Sequence, residues 1–183
     1  MSVAPTRVVL DANVLFPFTL RDTLLRAAGE GFFEPLWSEE ILDEMRRNLV
    51  SMGTTTAEQA TRLMAVMQRA FPEALVSGHE ALTPTMPNQA KDRHVAAAAV
   101  HAQSVVIVTD NLRDFRELPP GIVAISSDTF LSQLVDLDPS RMVALVKAQA
   151  AALRRPPRTF EEVVAALRKL APTFASRLLV QAE

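Results

Sequence analysis

Asp11, Glu44, Asp92 and Asp114 are carboxylates spread over four separate stretches of a 183-residue chain, each next to an apolar run. The chain has no cysteine and only three histidines, His79, His94 and His101. Disulfides, thiolate zinc sites, iron–sulfur clusters and cysteine nucleophiles are therefore excluded, and imidazole ligands are scarce. Dispersed carboxylates without soft ligands suit a hard cation. Mg²⁺ or Mn²⁺ takes oxygen donors, keeps several waters and shares its charge with substrate phosphates. Carboxylates a few ångströms apart raise one another's pKa, and a cation relieves that repulsion. The chemistry implied is metal-assisted attack on a phosphate ester.

Each acid also has a plainer reading. Asp11 follows the run Val8, Val9, Leu10, and a lone Asp after a strand is commonly a turn residue. Glu44 lies three residues after Ile41 and five before Leu49, on or near the apolar stripe of its helix. It is either a buried-side carboxylate seeking a cation or a salt-bridged stripe edge. Asp92 opens an alanine-rich stretch, where it would serve as an N-cap or first-turn charge. Small alanines would also let that helix lie close to a sheet and carry Asp92 to the rim.

The elements that must position these residues alternate. Residues 8–10, 33–37, 74–76, 105–108 and 122–125 read as short buried strands. Between them, Thr19 with Asp22, Ser38, and Thr55, or Thr56 with Gln59, offer helix starts, and a helix spans about 92–102. Asp128 is read as the cap of 130–135. Strands alternating with helices predict an α/β class with a parallel sheet covered on both faces, and ligands at the carboxyl ends of its strands. Residues 1–137 form that domain. Residues 138–183 read as a helical C-terminal extension, opened by Asp138 and Pro139, broken at 155–157 and restarted by a capping box at Thr159 and Glu162.

The formal net charge of −2 hides an asymmetry, because residues 139–183 hold eight basic and three acidic residues and so carry +5, leaving −7 on the rest. Such a balance argues against a polybasic nucleic-acid coat. No apolar run reaches the ~20 residues of a membrane span and residues 1–7 lack the apolar core of a signal peptide, so a cytoplasmic protein with no membrane partner is expected.

Five ordered segments resemble PIN-domain proteins, the ribonuclease fold of VapC-type toxins in bacterial toxin–antitoxin pairs. They are VVLDANVL at 8–15, SEEILDEMRRNL at 38–49, KDRHVAAAAV at 91–100, VIVTDNLRDF at 106–115 and SSDTFL at 126–131. The resemblance implies a PIN-like three-layer α/β/α fold with a central parallel sheet. It also implies a Mg²⁺- or Mn²⁺-dependent endoribonuclease leaving 5′-phosphate and 3′-hydroxyl ends. Asp11, Glu44 and Asp92 match the first three family acids. At the fourth, the family's Thr-x-Asp aligns its Asp with Asn111, not Asp110, and a Thr-x-Asn-x-x-Asp-Phe variant matches Thr109, Asn111, Asp114 and Phe115.

Catalysis is thus assigned to Asp11, Glu44, Asp92 and Asp114, and metal binding to these four with Asn111. Asn13 either orients Asp11 or makes an Asx turn, Thr109 holds Asp92 or a bound water, and Asp110 is outer or solvent-facing. Arg93 and His94 either meet RNA phosphate or are a solvent-facing Arg and a packed His. The resemblance further implies an RNA substrate, a cognate antitoxin and a homodimer. Two other readings stand beside it: a PIN-like protein that binds RNA or a partner without cutting, and a receiver-type phosphoacceptor. The last expects a Lys at the end of a late strand, and none follows 105–108 or 122–125.

Overall fold

The computed structural model describes residues 6–182. Residues 1–5, part of the stretch read as lacking a signal peptide, and residue 183 lie outside them. The strands are β1 (Arg7–Leu10), β2 (Glu34–Ser38), β3 (Leu75–Val76), β4 (Val106–Val108) and β5 (Val123–Ile125). The helices among the described residues are α1 (Ala12–Leu15), α2 (Phe18–Gly29), α3 (Glu39–Ser51), α4 (Ala57–Ala70), α5 (Arg93–His101), α6 (Ser127–Leu137), α7 (Pro139–Ala152), α8 (Phe160–Arg168) and α9 (Pro172–Ala182). All five expected strands are present, within a residue or two of their expected ends.

The strands form one sheet in the order β3-β2-β1-β4-β5, and every pair is parallel. Val8, Val9 and Leu10 of the central strand are fully buried, as an all-parallel sheet requires. Strand order reverses at β1, whose neighbours are β2 and β4, so the crossovers diverge and a crevice opens at the carboxyl ends of β1 and β4. Leu10 pairs with Val108, and the Asp11 amide continues the ladder by donating to the Val108 carbonyl at 3.0 Å. The residues that follow these strands, Asp11 and Thr109, are therefore neighbours.

Two compact units emerge from the packing. The first holds the chain up to Phe16 and Phe33–Ile125, and with them the whole sheet. In it, Ser38 caps α3 by accepting from the Ile41 amide at 3.2 Å, and Thr56 and Gln59 close the expected capping box on α4. α5 packs against β1, β2 and β4, and its Ala96, Ala97, Ala98 and Ala99 are all fully buried.

The second unit joins Pro17–Phe32 to the stretch from Ser126 onward. Its α2 packs on α7 and α8, and a buried polar link ties it there: Thr23 Oγ1 donates to Gln149 Oε1 at 2.8 Å while Gln149 Nε2 donates to the Thr19 carbonyl at 3.0 Å. Two helix starts differ from expectation. α2 begins at Phe18 behind Pro17, and Asp22 pairs with Arg26 one turn on instead of closing a box with Thr19. α6 is capped by Ser126, one helical turn ahead of Phe130, while the Asp128 carboxylate accepts from the Phe174 amide at 2.8 Å and so caps the first turn of α9. A cap that lies 46 residues away along the chain leaves no local sequence signal.

The alanine face of α5 has no room for larger groups, so Ala97→Leu should cost about 1–3 kcal/mol by overpacking. Urea unfolding of the variant measures this; an unchanged midpoint would mean that α5 does not lie tight on the sheet.

Candidate active site

The rim of the crevice is built around Asp11, which is 3% exposed. Its Oδ1 accepts from the Ala12 amide at 2.7 Å, capping α1. Its Oδ2 accepts from Asn13 Nδ2 at 2.6 Å and from the Thr109 hydroxyl at 2.7 Å. Asn13 orients the carboxylate, and its Oδ1 accepts from the Asp110 amide at 3.0 Å, binding the loop after β1 to the loop after β4. The expectation that Thr109 holds Asp92 is corrected, because parallel register sets Thr109 beside Asp11 instead. Thr109 Oγ1 also accepts from the Asn111 amide at 3.1 Å, which shapes the turn carrying Asn111 and Asp114. Asp110 is exposed.

Asp92 lies at the head of α5, 6% exposed, yet makes no capping bond. Its Oδ2 is buried with no hydrogen-bond partner and lies 3.5 Å from the Lys91 ammonium. Lys91 Nζ makes a closer pair with Asp114 Oδ2 at 2.6 Å, and the same oxygen accepts from Asn111 Nδ2 at 2.6 Å. Lys91 thus bridges two of the acids, a role that reading the residues by type overlooked. Its signal was present: a Lys directly before an Asp at a helix start.

Glu44 sits half-buried on α3, its Oε2 3.7 Å from His94 Nε2. The other ring nitrogen of His94 lies 3.5 Å from Glu40 Oε2, and His79 Nε2 reaches that same oxygen at 3.8 Å. His94 is therefore a packed side chain clasped between two glutamates of α3. Arg93 turns back, its Nε donating to the Asn88 carbonyl at 3.1 Å.

The electrostatics join three of the acids. Burial pushes Asp11 from 3.8 up to about 6; the Thr109 and Ala12 bonds resist this, while Glu44 and Asp92 add repulsion. Burial also raises Asp92, moderated by Lys91. Glu44 is lowered, chiefly by His94, and Asp114 is lowered by Lys91 and Asn111. Burial alone would lower His94, yet Glu44 and Glu40 together raise it.

Among the described residues no three Asp, Glu or His side chains close into a cage for an ion. The donors still fit a hard cation that keeps most of its waters, since such an ion needs only one or two carboxylates from the protein. They are all oxygens, Asp92 Oδ2 is buried without a hydrogen bond, and Lys91 already supplies positive charge between Asp92 and Asp114.

A family model described as "PIN domain" matches residues 7–113, and one described as "VapC50 C-terminal domain" matches residues 127–180. A Mycobacterium tuberculosis protein named "Putative ribonuclease VapC50" is 36% identical over 107 residues, which is 57% of this chain and 63% of that protein. The chain therefore covers less than two thirds of that relative's length. No solved structure matches the chain significantly.

A carboxyl whose pKa is raised on folding favours the folded state while protonated, so Asp11 withdraws stability as pH rises from about 4 through about 6. In EDTA, stability from this source should fall by on the order of 1 kcal/mol between pH 5 and 7.5, and Asp11→Asn should flatten the trend. Denaturant midpoints at the two pH values test it; an equal slope in both proteins would contradict the burial of an ionisable Asp11.

Proposed function

The chain belongs to the PIN-domain family, and from that premise we propose that it is a Mg²⁺- or Mn²⁺-dependent endoribonuclease, the toxin of a VapC-type toxin–antitoxin pair acting in the cytoplasm. The observation that carries this reading is Asp11: a buried carboxylate held by Thr109 and Asn13 at the switch point of a parallel sheet, within electrostatic reach of Glu44 and Asp92. Holding an ionised carboxylate there costs free energy, and a cation from solution would offset that cost.

In this reading Asp11, Asp92 and Glu44 would hold the ion, directly or through water, and Asn111 and Asp114 would complete its surroundings. When bound, a divalent cation makes water nucleophilic at neutral pH and offsets the charge of the phosphoryl transition state. Thr109 and Asn13 fix the Asp11 carboxylate so that it need not reorganise during the reaction. With a cation held by the acids, the Lys91 ammonium that pairs with Asp92 and Asp114 would be available to meet the RNA phosphate. Attack in line leaves a 5′-phosphate and a 3′-hydroxyl, with no side-chain nucleophile. Residues 1–137 are the nuclease domain in this proposal and 138–183 the helical extension. A cognate antitoxin and a second copy of the chain are the proposed protein partners.

A second reading, a PIN-like protein that binds RNA without cutting, draws on the same lysine, whose ammonium already neutralises Asp92 and Asp114 without any ion. Family membership sets aside the phosphoacceptor reading.

Asp11→Ala or Asp92→Ala should abolish Mg²⁺-dependent cleavage of a labelled RNA; undiminished cleavage by both variants rules out the mechanism. Thr109→Val, which keeps the shape but loses the hydroxyl, should lower cleavage about 10–100-fold while the protein stays folded. Calorimetric titration with Mn²⁺ separates the two readings, because a protein that only binds RNA gives no heat.

A further inference from the structure

Next to Asp114 a polar cleft of about 490 Å³ opens on the face carrying the loop before α5 and the turn after β4. Its size falls within the ~300–1,000 Å³ of sites that enclose small molecules. Arg93, Arg113 and Arg116 line it, with Glu117 and Asp114 as the opposing charges, and Asp114 is already paired with Lys91. Arg113 and Arg116 are exposed, whereas Arg93 is held in place by its bond to the Asn88 carbonyl. Asn88 also lines the cleft and is 4% exposed, and the oxygen and nitrogen of its side-chain amide are both buried without a hydrogen-bond partner. Buried polar atoms in folded proteins are nearly always paired, so an amide with neither atom bonded within the protein has hydrogen-bonding capacity left for a group from outside it.

We propose that this cleft is a nucleotide subsite for the RNA residue adjoining the cleaved bond, with Arg93, Arg113 and Arg116 taking its phosphate and Asn88 the edge of its base. The inference rests on the ribonuclease reading and extends it to the substrate. Guanidinium groups match phosphate oxygens in pairs. A carboxamide offers one donor face and one acceptor, the complement of a base edge, and single-stranded RNA leaves such edges free. The position follows from charge. A strand whose reacting phosphate lies at the acids carries its next phosphate one nucleotide on, and this cleft, sharing Asp114 with the acid cluster, gathers three cations there.

The test is fluorescence anisotropy of the full chain with labelled ten-nucleotide single-stranded RNAs in EDTA. Arg113→Ala/Arg116→Ala should weaken binding about tenfold and flatten the salt dependence by ~0.7 per lost phosphate contact. Arg62→Ala/Arg69→Ala, on exposed positions of α4, removes the same charge away from the cleft and should change affinity less than twofold. Asn88→Ala should leave the salt slope intact and bring the affinities for A, C and U homopolymers together. Equal losses in the two double variants, or homopolymers that wild type binds alike, would overturn the subsite. A wild type that cuts RNA but whose binding ignores Arg113 and Arg116 overturns the subsite alone; one that neither binds nor cuts RNA overturns the ribonuclease reading with it.

Discussion

The hydrogen bond from Thr109 to Asp11 is the contact on which the site depends. It exists because β1 and β4 are parallel neighbours in a register that pairs Leu10 with Val108, so that the first residue past each strand meets the other. The two residues lie ninety-eight positions apart in the chain. The same hydroxyl accepts from the Asn111 amide, and the turn it shapes brings Asp114 toward Lys91 and Asp92. A strand pairing is thereby converted into the placement of three loops.

The charge balance around that contact is unequal. Asp11 and Asp92 are the buried members, both raised by desolvation, Asp11 despite accepting three hydrogen bonds. Asp114 and Glu44 lie nearer to water, and each is lowered by a basic partner, Lys91 for one and His94 for the other. A deep carboxylate short of positive charge, within electrostatic reach of Glu44 and Asp92, is an arrangement in which an added cation acts strongly. On the α3 side, His94 lies between Glu40 and Glu44.

The second unit carries a different lesson about chain order. α2 follows directly on the first strand and helix of the sheet unit, yet it packs with α7 and α8 and is tied to Gln149 through Thr23. Removing the C-terminal helices would leave Thr23 and Thr19 without Gln149. For this reason the role of those helices is best examined by substitution in the full chain.

Local chemistry was legible in the sequence. Apolar runs marked every strand, and the caps at Ser38, Thr56, Asp138 and Thr159 were readable because a cap and its amide lie three residues apart. The absence of cysteine and the dispersed acids pointed to oxygen ligands, and five ordered segments pointed to the family. What the tertiary structure decided is which of these residues meet. It gave Thr109 to Asp11 and not to Asp92, moved the Asp128 cap to α9, set Lys91 between two acids and left the Asn88 amide unpaired beside three arginines. Residue type and spacing report interactions within a turn or a strand. Strand order and register, which bring residues a hundred positions apart to within 3 Å, come from how the whole apolar surface is buried, and no local segment encodes that.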